Sequence, residues 1–380
     1  MNPPRLRFTA SIYLAGFLQG SAFVLIPALG NTLAASPFSF SASSYALLFL
    51  PQTVGAIAGA SAAGLVQQRL GIGQLYRAGL AANLLAMLLL VAASHAGGST
   101  AYGLLLAETL LLGIGFGWTL ASINHYSAMF FSQAAGMAIT LLNALIGGAT
   151  ALSPLLLAAI QSRWNWSLWP LALAVGFVIA GVPRLPEGED DARAAFWPRG
   201  LMPFVVLTLI YAICEGSLGS WASVYVSDYR HLGGRAGTIA LSAFWGSMTL
   251  FRVVLAVVPD RWISRRSLLC ASAVGIAVCL GTLPWLSGPA ELIGGFAVAG
   301  AACSIYYPFV MFLTLARFPQ QRTQVAGLVV AALMTGEGLG SYGIGILQHG
   351  LRLDEIYLAS ALWGLPLLIG ARLIAARQSK

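Results

Sequence analysis

Residues 211–225 read Y-A-I-C-E-G-S-L-G-S-W-A-S-V-Y, and this stretch decides the class of fold. It belongs to a long apolar run that carries one carboxylate, Glu215, near its middle. About 20 mainly apolar residues are enough for a helix to cross a bilayer, where ionisable groups are rare and costly. The stretch therefore predicts a membrane span with a functional acid inside it.

The composition of the whole chain agrees with this interpretation. The 380 residues are 58% hydrophobic and 8% charged, whereas soluble domains are about 25% charged. The net charge of +8 comes from residues between apolar runs rather than from a basic face, which argues against nucleic acid as a partner. The four cysteines fall inside apolar runs without metal-ligand spacing. The chain carries no catalytic or nucleotide-binding motif, so we expect no enzyme activity, no cofactor, no metal and no ATP drive.

Apolar runs of spanning length recur along the entire chain. They predict an all-α membrane protein with twelve transmembrane helices, in two pseudo-symmetric six-helix bundles around a central cavity. The predicted spans are 8–32, 44–66, 74–95, 101–124, 134–160, 167–183, 201–226, 236–258, 267–286, 292–315, 325–347 and 356–375.

The two halves of the chain resemble each other. A polar segment at 184–200 predicts a cytoplasmic linker between bundles at 1–183 and 201–380. Residues 17–21 read F-L-Q-G-S and residues 213–217 read I-C-E-G-S, so Gln19 stands where Glu215 stands. Matches of this kind in the same order predict a duplicated unit.

Charge also predicts the orientation. Most of the 20 Lys and Arg residues flank the spans on the side that holds both termini. The positive-inside rule makes that side cytoplasmic. We expect an integral protein of the plasma membrane, which in a bacterium is the inner membrane.

Twelve spans, a central linker and two related halves resemble the major facilitator superfamily. The family's loop signature is similar to A-V-V-P-D-R-W-I-S-R-R at 256–266. The resemblance implies gating roles for Asp260, Arg261 and Arg265, although plain positive-inside topology would also explain the arginines. In the corresponding first-half segment, 64–71, Gln68 replaces the acid, so no charge-based latch is expected there.

Within the superfamily, the chain resembles the fucose–glucose/galactose proton symporter group. The resemblance rests on Glu215 followed by Trp221, on S-I-Y-Y-P at 304–308, and on Asn143 followed by two glycines and Pro154. It implies proton-coupled uptake of a neutral sugar-like solute by alternating access. Protons, a small-molecule substrate and the lipid bilayer are then the partners, and we expect a monomer.

The predicted site residues fall into three groups. Glu215 and Glu337 are the predicted proton-coupling acids, because both lie within apolar spans. Arg252 has two interpretations: a side chain that snorkels to the surface, or one that pairs with an acid in a gate. The predicted substrate ligands are amides and aromatic residues, the latter with core packing as the alternative: Gln19, Trp118, Asn124, Asn143, Trp221, Tyr306 and Tyr307.

Two other titratable residues are expected at the edges of the membrane. Glu108 lies near the outer end of the fourth predicted span, where we expect water to reach it. His125 lies near the opposite end of the same span and is expected at the interface. Neither is assigned to the predicted site.

Two alternative functions stay open. The first is proton-coupled efflux of a hydrophobic cation or metabolite, although Ser153-Pro154 is not followed by the glycine pair typical of drug antiporters. The second is a membrane receptor or scaffold that transports nothing. Such a protein would need no intramembrane acid.

Overall fold

The structure is a computed structural model that describes residues 3–29, 32–33, 35–181, 197–257 and 264–376. These residues form helices and turns without any strand. The helices are α1 (Pro3–Phe23), α2 (Leu25–Ala28), α3 (Ala42–Leu47), α4 (Phe49–Leu70), α5 (Ile72–Ser94), α6 (Gly98–Phe130), α7 (Ala135–Ile160), α8 (Leu168–Gly181), α9 (Met202–Val224), α10 (Gly234–Val257), α11 (Arg265–Thr282), α12 (Pro289–Cys303), α13 (Tyr306–Arg317), α14 (Arg322–Leu347), α15 (Leu353–Ser360) and α16 (Gly364–Ala376).

Among the described residues, 10 helical segments are long and apolar enough to cross a membrane. They are Phe49–Leu70, Ile72–Ser94, Gly98–Phe130, Ala135–Ser153, Met202–Tyr229, Arg235–Val257, Arg266–Trp285, Pro289–Arg317, Arg322–Leu347 and Leu353–Ile374. The two remaining predicted spans correspond to the 21-residue α1 and to the shorter apolar helix Trp164–Ala180. The prediction of an all-α membrane fold is confirmed.

The chain divides into two compact units. Unit 1 comprises Met1–Phe130, Leu145–Pro198 and Phe318–Ala331, and unit 2 comprises Phe131–Ala144, Arg199–Arg317 and Ala332–Lys380. Most of the predicted linker, residues 182–196, lies outside the described residues, so the division at 184–200 stays a prediction.

Small residues determine how closely helices approach within unit 1. A Cβ atom added to Gly59 on α4 would lie 2.7 Å from the carbonyl oxygen of Ile114 on α6. One added to Gly117 on α6 would lie 2.8 Å from the carbonyl oxygen of Ala56. Such contacts leave no room for a side chain, which is how small residues pack membrane helices.

A break between α12 and α13 shapes unit 2. Pro308 lies in the first turn of α13. Proline has no backbone N–H, and its ring clashes with the carbonyl group four residues earlier, which here belongs to Ser304. Residues 304 and 305 accordingly form a turn rather than continuous helix, and backbone oxygens at this break become available to side chains.

Candidate functional site

A buried ion pair forms the centre of the site in unit 2. The Arg252 Nη2 atom on α10 lies 3.5 Å from the Glu215 Oε1 atom on α9. Both residues are buried, with 7% and 3% of their surfaces exposed. Arg252 therefore pairs with an acid, as one of its two interpretations predicts. Its side chain does not extend to the surface, contrary to the other interpretation.

Backbone oxygens complete the surroundings of the guanidinium. Arg252 Nε donates a hydrogen bond of 3.1 Å to the carbonyl oxygen of Ser304, at the break caused by Pro308. Arg252 Nη1 donates to the carbonyl oxygen of Asn143 on α7 at 3.4 Å. A buried charge needs both an opposite charge and hydrogen bonds to offset its desolvation. Arg252 obtains the charge from α9 and the hydrogen bonds from α7 and the helix break.

Tyr211 is a second neighbour of Glu215. It lies four residues earlier on α9, hence on the same helix face, and interacts electrostatically with the Glu215 side chain. Its hydroxyl group also donates to the carbonyl oxygen of Cys303 at 2.8 Å. Its ring stacks on Tyr306 with centroids 5.4 Å apart, and the Tyr306 hydroxyl donates to the Leu367 carbonyl oxygen. Tyr211 was not assigned to the site from the sequence, although its spacing from Glu215 was a usable signal.

Glu337 belongs to the same electrostatic environment. It lies on α14 and interacts electrostatically with Glu215 and Arg252. The two helices meet closely, because a Cβ atom added to Gly216 would lie 2.6 Å from the Glu337 carbonyl oxygen. Tyr307 is also buried, and it interacts electrostatically with both Glu215 and Glu337. Within the described part of the chain its hydroxyl group has no hydrogen-bond partner.

Trp221 lies near the C-terminal end of α9 and contacts α14. Its indole Nε1 donates a hydrogen bond of 2.9 Å to the Ser341 carbonyl oxygen. The hydroxyl groups of Ser220 and Ser341 are 2.6 Å apart. The indole N–H is therefore already used within the protein, and the ring alone is available for stacking.

The predicted ligand Gln19 lies in a separate polar cluster in unit 1. Its amide pairs with Asn83 on α5: Asn83 Nδ2 donates to Gln19 Oε1 at 2.6 Å, and Gln19 Nε2 donates to Asn83 Oδ1 at 3.4 Å. Asn83 Nδ2 also lies 3.3 Å from Thr119 Oγ1 on α6. Sequence reasoning missed Asn83 and Thr119. A single amide within the apolar run after Arg77 was the signal that could have found Asn83.

The other predicted ligands in unit 1 lie on α6. Asn124 is buried, its Nδ2 donates to the Leu120 carbonyl oxygen at 2.8 Å, and its Oδ1 has no partner among the described residues. The same holds for the indole Nε1 of the half-buried Trp118. These two atoms retain hydrogen-bonding capacity.

The expectation that water reaches Glu108 is wrong, whereas the interfacial position of His125 stays a prediction. Both are buried, at 0% and 1% exposure, because the 33-residue helix α6 packs against α4 and α5 over its length. His125 Nδ1 forms a hydrogen bond of 2.9 Å with Thr323. Glu108 has no hydrogen-bond partner for either carboxylate oxygen within the described ranges. Position along a span did not reveal burial, because burial depends on which other helices pack around a residue.

The structure does not describe the side chains of the other three predicted gating residues, Asp260, Arg261 and Arg265. Asp260 and Arg261 lie outside the described residues. Arg265 is the first residue of α11, and its side chain also lies outside the described part. Their gating roles stay predictions.

Comparisons with known proteins give a consistent result. A family model described as Major Facilitator Superfamily matches residues 11–341. The chain is similar in structure to the E. coli fucose:proton symporter FucP, with a TM-score of 0.76, 14% identity and 98% of both chains covered. It is also similar to the proton:xylose symporter XylE, with a TM-score of 0.77, 14% identity and 96% and 94% coverage of this chain and that one. The human organic anion transporter MFSD10 gives a TM-score of 0.74 at 15% identity, with 98% and 100% coverage. A search of curated proteins finds no match.

Proposed function

This chain belongs to the major facilitator superfamily of membrane transporters, and from that premise we propose that it is a proton-coupled symporter for a neutral, polyhydroxylated solute. The observation that carries the proposal is the buried pair of Glu215 and Arg252. An intramembrane carboxylate is expensive to maintain, so its presence favours a role in moving charge.

Proton binding at Glu215 would change the electrostatics of the pair. An ionised Glu215 attracts Arg252 directly across a 3.5 Å contact. A protonated Glu215 loses that attraction, whereas Arg252 keeps its hydrogen bonds to the Ser304 and Asn143 carbonyl oxygens. The electrostatic interaction between α9 and α10 then weakens, while α10 keeps its hydrogen bonds to α7 and to the break before α13. Proton binding is thereby coupled to a structural change, as alternating access requires. Glu337 is the second acid of this coupling site.

The small number of buried basic residues favours a neutral substrate. Among the described residues, Arg252 is the one buried Lys or Arg, and its charge is already matched by Glu215. An anionic substrate would compete with that carboxylate for the guanidinium. A polyhydroxylated solute instead uses groups such as the Tyr307 hydroxyl of unit 2, which has no hydrogen-bond partner among the described residues. Aromatic rings such as Trp221 add apolar surface for a sugar ring.

Similarity of fold gives weaker support. Two of the structural neighbours are named as sugar:proton symporters. At their level of identity the likeness extends to the fold, so the substrate class rests on the residues of this chain. We further propose that both termini are cytoplasmic, that bundles at 1–183 and 201–380 are joined by a linker at 184–200, and that the protein works as a monomer.

Proton flux in proteoliposomes tests the proposal. Purified protein is reconstituted with a pH-sensitive dye inside the vesicles, and hexoses, deoxyhexoses, pentoses and hydrophobic cations are added outside. We expect at least one neutral sugar to acidify the interior. Sugar-independent proton movement triggered by a hydrophobic cation, with no sugar response, would instead indicate the efflux alternative.

A further inference from the structure

Unit 2 contains a cavity of about 340 Å³ that is separate from the residues around Glu215. It lies between the first half of α9 and the end of α16. Phe204, Leu207 and Ile210 line one side, and Ile369 and Leu373 line the other. The single charged residue that borders the cavity is Arg317. The cavity thus combines a long apolar wall with one cation.

The location of the cavity relative to the membrane spans is informative. Its lining begins at Gly200, just before the span Met202–Tyr229, and includes Arg317, the last residue of the span Pro289–Arg317. Ile374, the last residue of a third span, also borders it. Three span ends therefore place one end of the cavity at the membrane interface.

The cavity spans most of the depth of one leaflet. On α9 the lining extends from Pro203 to Ile210. At about 1.5 Å per residue, eight residues of helix cover roughly 12 Å, against about 15 Å for half of a hydrocarbon core about 30 Å thick. Ile369 and Leu373 on the opposite wall are exposed, at 50% and 60%. The cavity therefore opens as a groove on the outer surface of the helices, where lipid chains are found.

We propose that this groove binds an anionic phospholipid, with one acyl chain against α9 and α16 and the phosphate on Arg317. Arg317 is exposed at the C-terminal end of α13, and no salt bridge within the described part of the chain includes it. A guanidinium group binds phosphate oxygens in a bidentate manner, and basic pockets between membrane helices recognise anionic headgroups. The apolar wall supplies the part of the site that a free phosphate ion would not use.

Native mass spectrometry of the full-length protein tests the assignment. Phosphatidylglycerol and phosphatidylcholine with identical acyl chains are titrated against the parent, and we expect phosphatidylglycerol to bind about tenfold more tightly, because the choline cation offsets the phosphate charge that Arg317 attracts. Arg317→Gln should remove this preference. Arg372→Gln is the matched control, because Arg372 is exposed on α16 and does not line the groove. It should keep the preference.

A second variant tests the apolar wall. Ile369→Trp fills the groove at an exposed position, so it should weaken both lipids without affecting folding, which a thermal unfolding curve checks. Inorganic phosphate at millimolar concentration should not displace phosphatidylglycerol. Equal binding of the two lipids to the parent, an unchanged preference in Arg317→Gln, unchanged binding in folded Ile369→Trp, or displacement by phosphate alone would each overturn the proposal.

Discussion

Arg252 on α10 is held against Glu215 on α9 by a contact of 3.5 Å between Nη2 and Oε1, in a part of unit 2 where both side chains are buried. The two residues belong to different predicted spans, and each has a separate interpretation when only the sequence is considered. Glu215 was predicted to carry protons, and one interpretation of Arg252 was that it pairs with an acid in a gate. The structure brings these two residues into contact.

The first prediction concerns the acid itself. Glu215→Gln keeps the size of the side chain and its hydrogen bonding but cannot exchange a proton. We expect the variant to lose solute accumulation driven by a pH gradient, while solute exchange without net proton movement continues. Uptake into proteoliposomes with and without the gradient measures both.

Glu291→Gln is the control for this experiment. Glu291 is exposed at the start of α12, where its carboxylate accepts hydrogen bonds from Ser287 and Gly288, and a glutamine oxygen can do the same. It should behave like the parent. Accumulation at the parental level in Glu215→Gln would exclude Glu215 as the coupling residue.

The second prediction concerns the stability of the ion pair. Removing one partner leaves a buried charge without compensation, which costs about 3 kcal/mol. We therefore expect Arg252→Leu to lower the free energy of unfolding strongly, and the double variant Arg252→Leu with Glu215→Leu to recover part of the loss. Thermal unfolding in detergent gives the comparison. Additive effects of the two single variants would contradict a direct pair.

The third prediction concerns the break at Pro308. In Pro308→Ala the backbone N–H is restored and can reach the Ser304 carbonyl oxygen, which then serves both the helix and Arg252. We expect slower transport with little loss of stability, because α13 gains a hydrogen bond where Arg252 loses part of one. Initial rates and unfolding curves measure the two effects.

Pro289→Ala is the control for Pro308, since Pro289 is the first residue of α12 and has no helical carbonyl group behind it. It should transport like the parent. A Pro308→Ala protein with the parental rate would show that the break does not matter for the working of Arg252.

The fourth prediction separates two roles for Gln19. If its amide serves mainly the pair with Asn83, then Asn83→Leu and Gln19→Leu should each cost about 1–3 kcal/mol of stability by leaving one buried amide unpaired. The double variant should then be more stable than either. If Gln19 also binds substrate, Gln19→Leu should weaken substrate affinity more than Asn83→Leu does, which calorimetry measures. Equal affinities in both variants would remove Gln19 from the binding site.

The fifth prediction concerns the contact of α14 with α9. A Cβ atom at Gly340 would meet the Ile213 carbonyl oxygen and would lie 2.9 Å from the Ser217 nitrogen, whereas nothing lies within 4 Å of one at Gly343. Gly340→Ala should therefore destabilise unit 2 by about 1–3 kcal/mol through overpacking. Gly343→Ala, three residues along the same helix, should be neutral or slightly stabilising. Similar unfolding temperatures for the two variants would argue against the close packing of these helices.

Much of the fold could be predicted because hydropathy is a local property of the chain. The run around Glu215 predicts a span at 201–226, and the structure has a helical segment at Met202–Tyr229, within three residues at either end. Burial around α6 could not be predicted from hydropathy, because it depends on how α4 and α5 pack against this helix, and for that reason Glu108 was expected to meet water although it is buried.

The sequence by itself determined the membrane class, the helical fold, the family resemblance and the unusual acid Glu215, since each depends on residue types and their spacing along one segment. Only the tertiary structure decided which groups the acid meets. Arg252 comes from another helix, its own partner, the Ser304 carbonyl oxygen, comes from the break before α13, and Gln19 finds its partner 64 residues away in Asn83. The physical reason is that a buried polar group must find its partner in three dimensions, and many pairings of apolar helices satisfy the same hydropathy pattern.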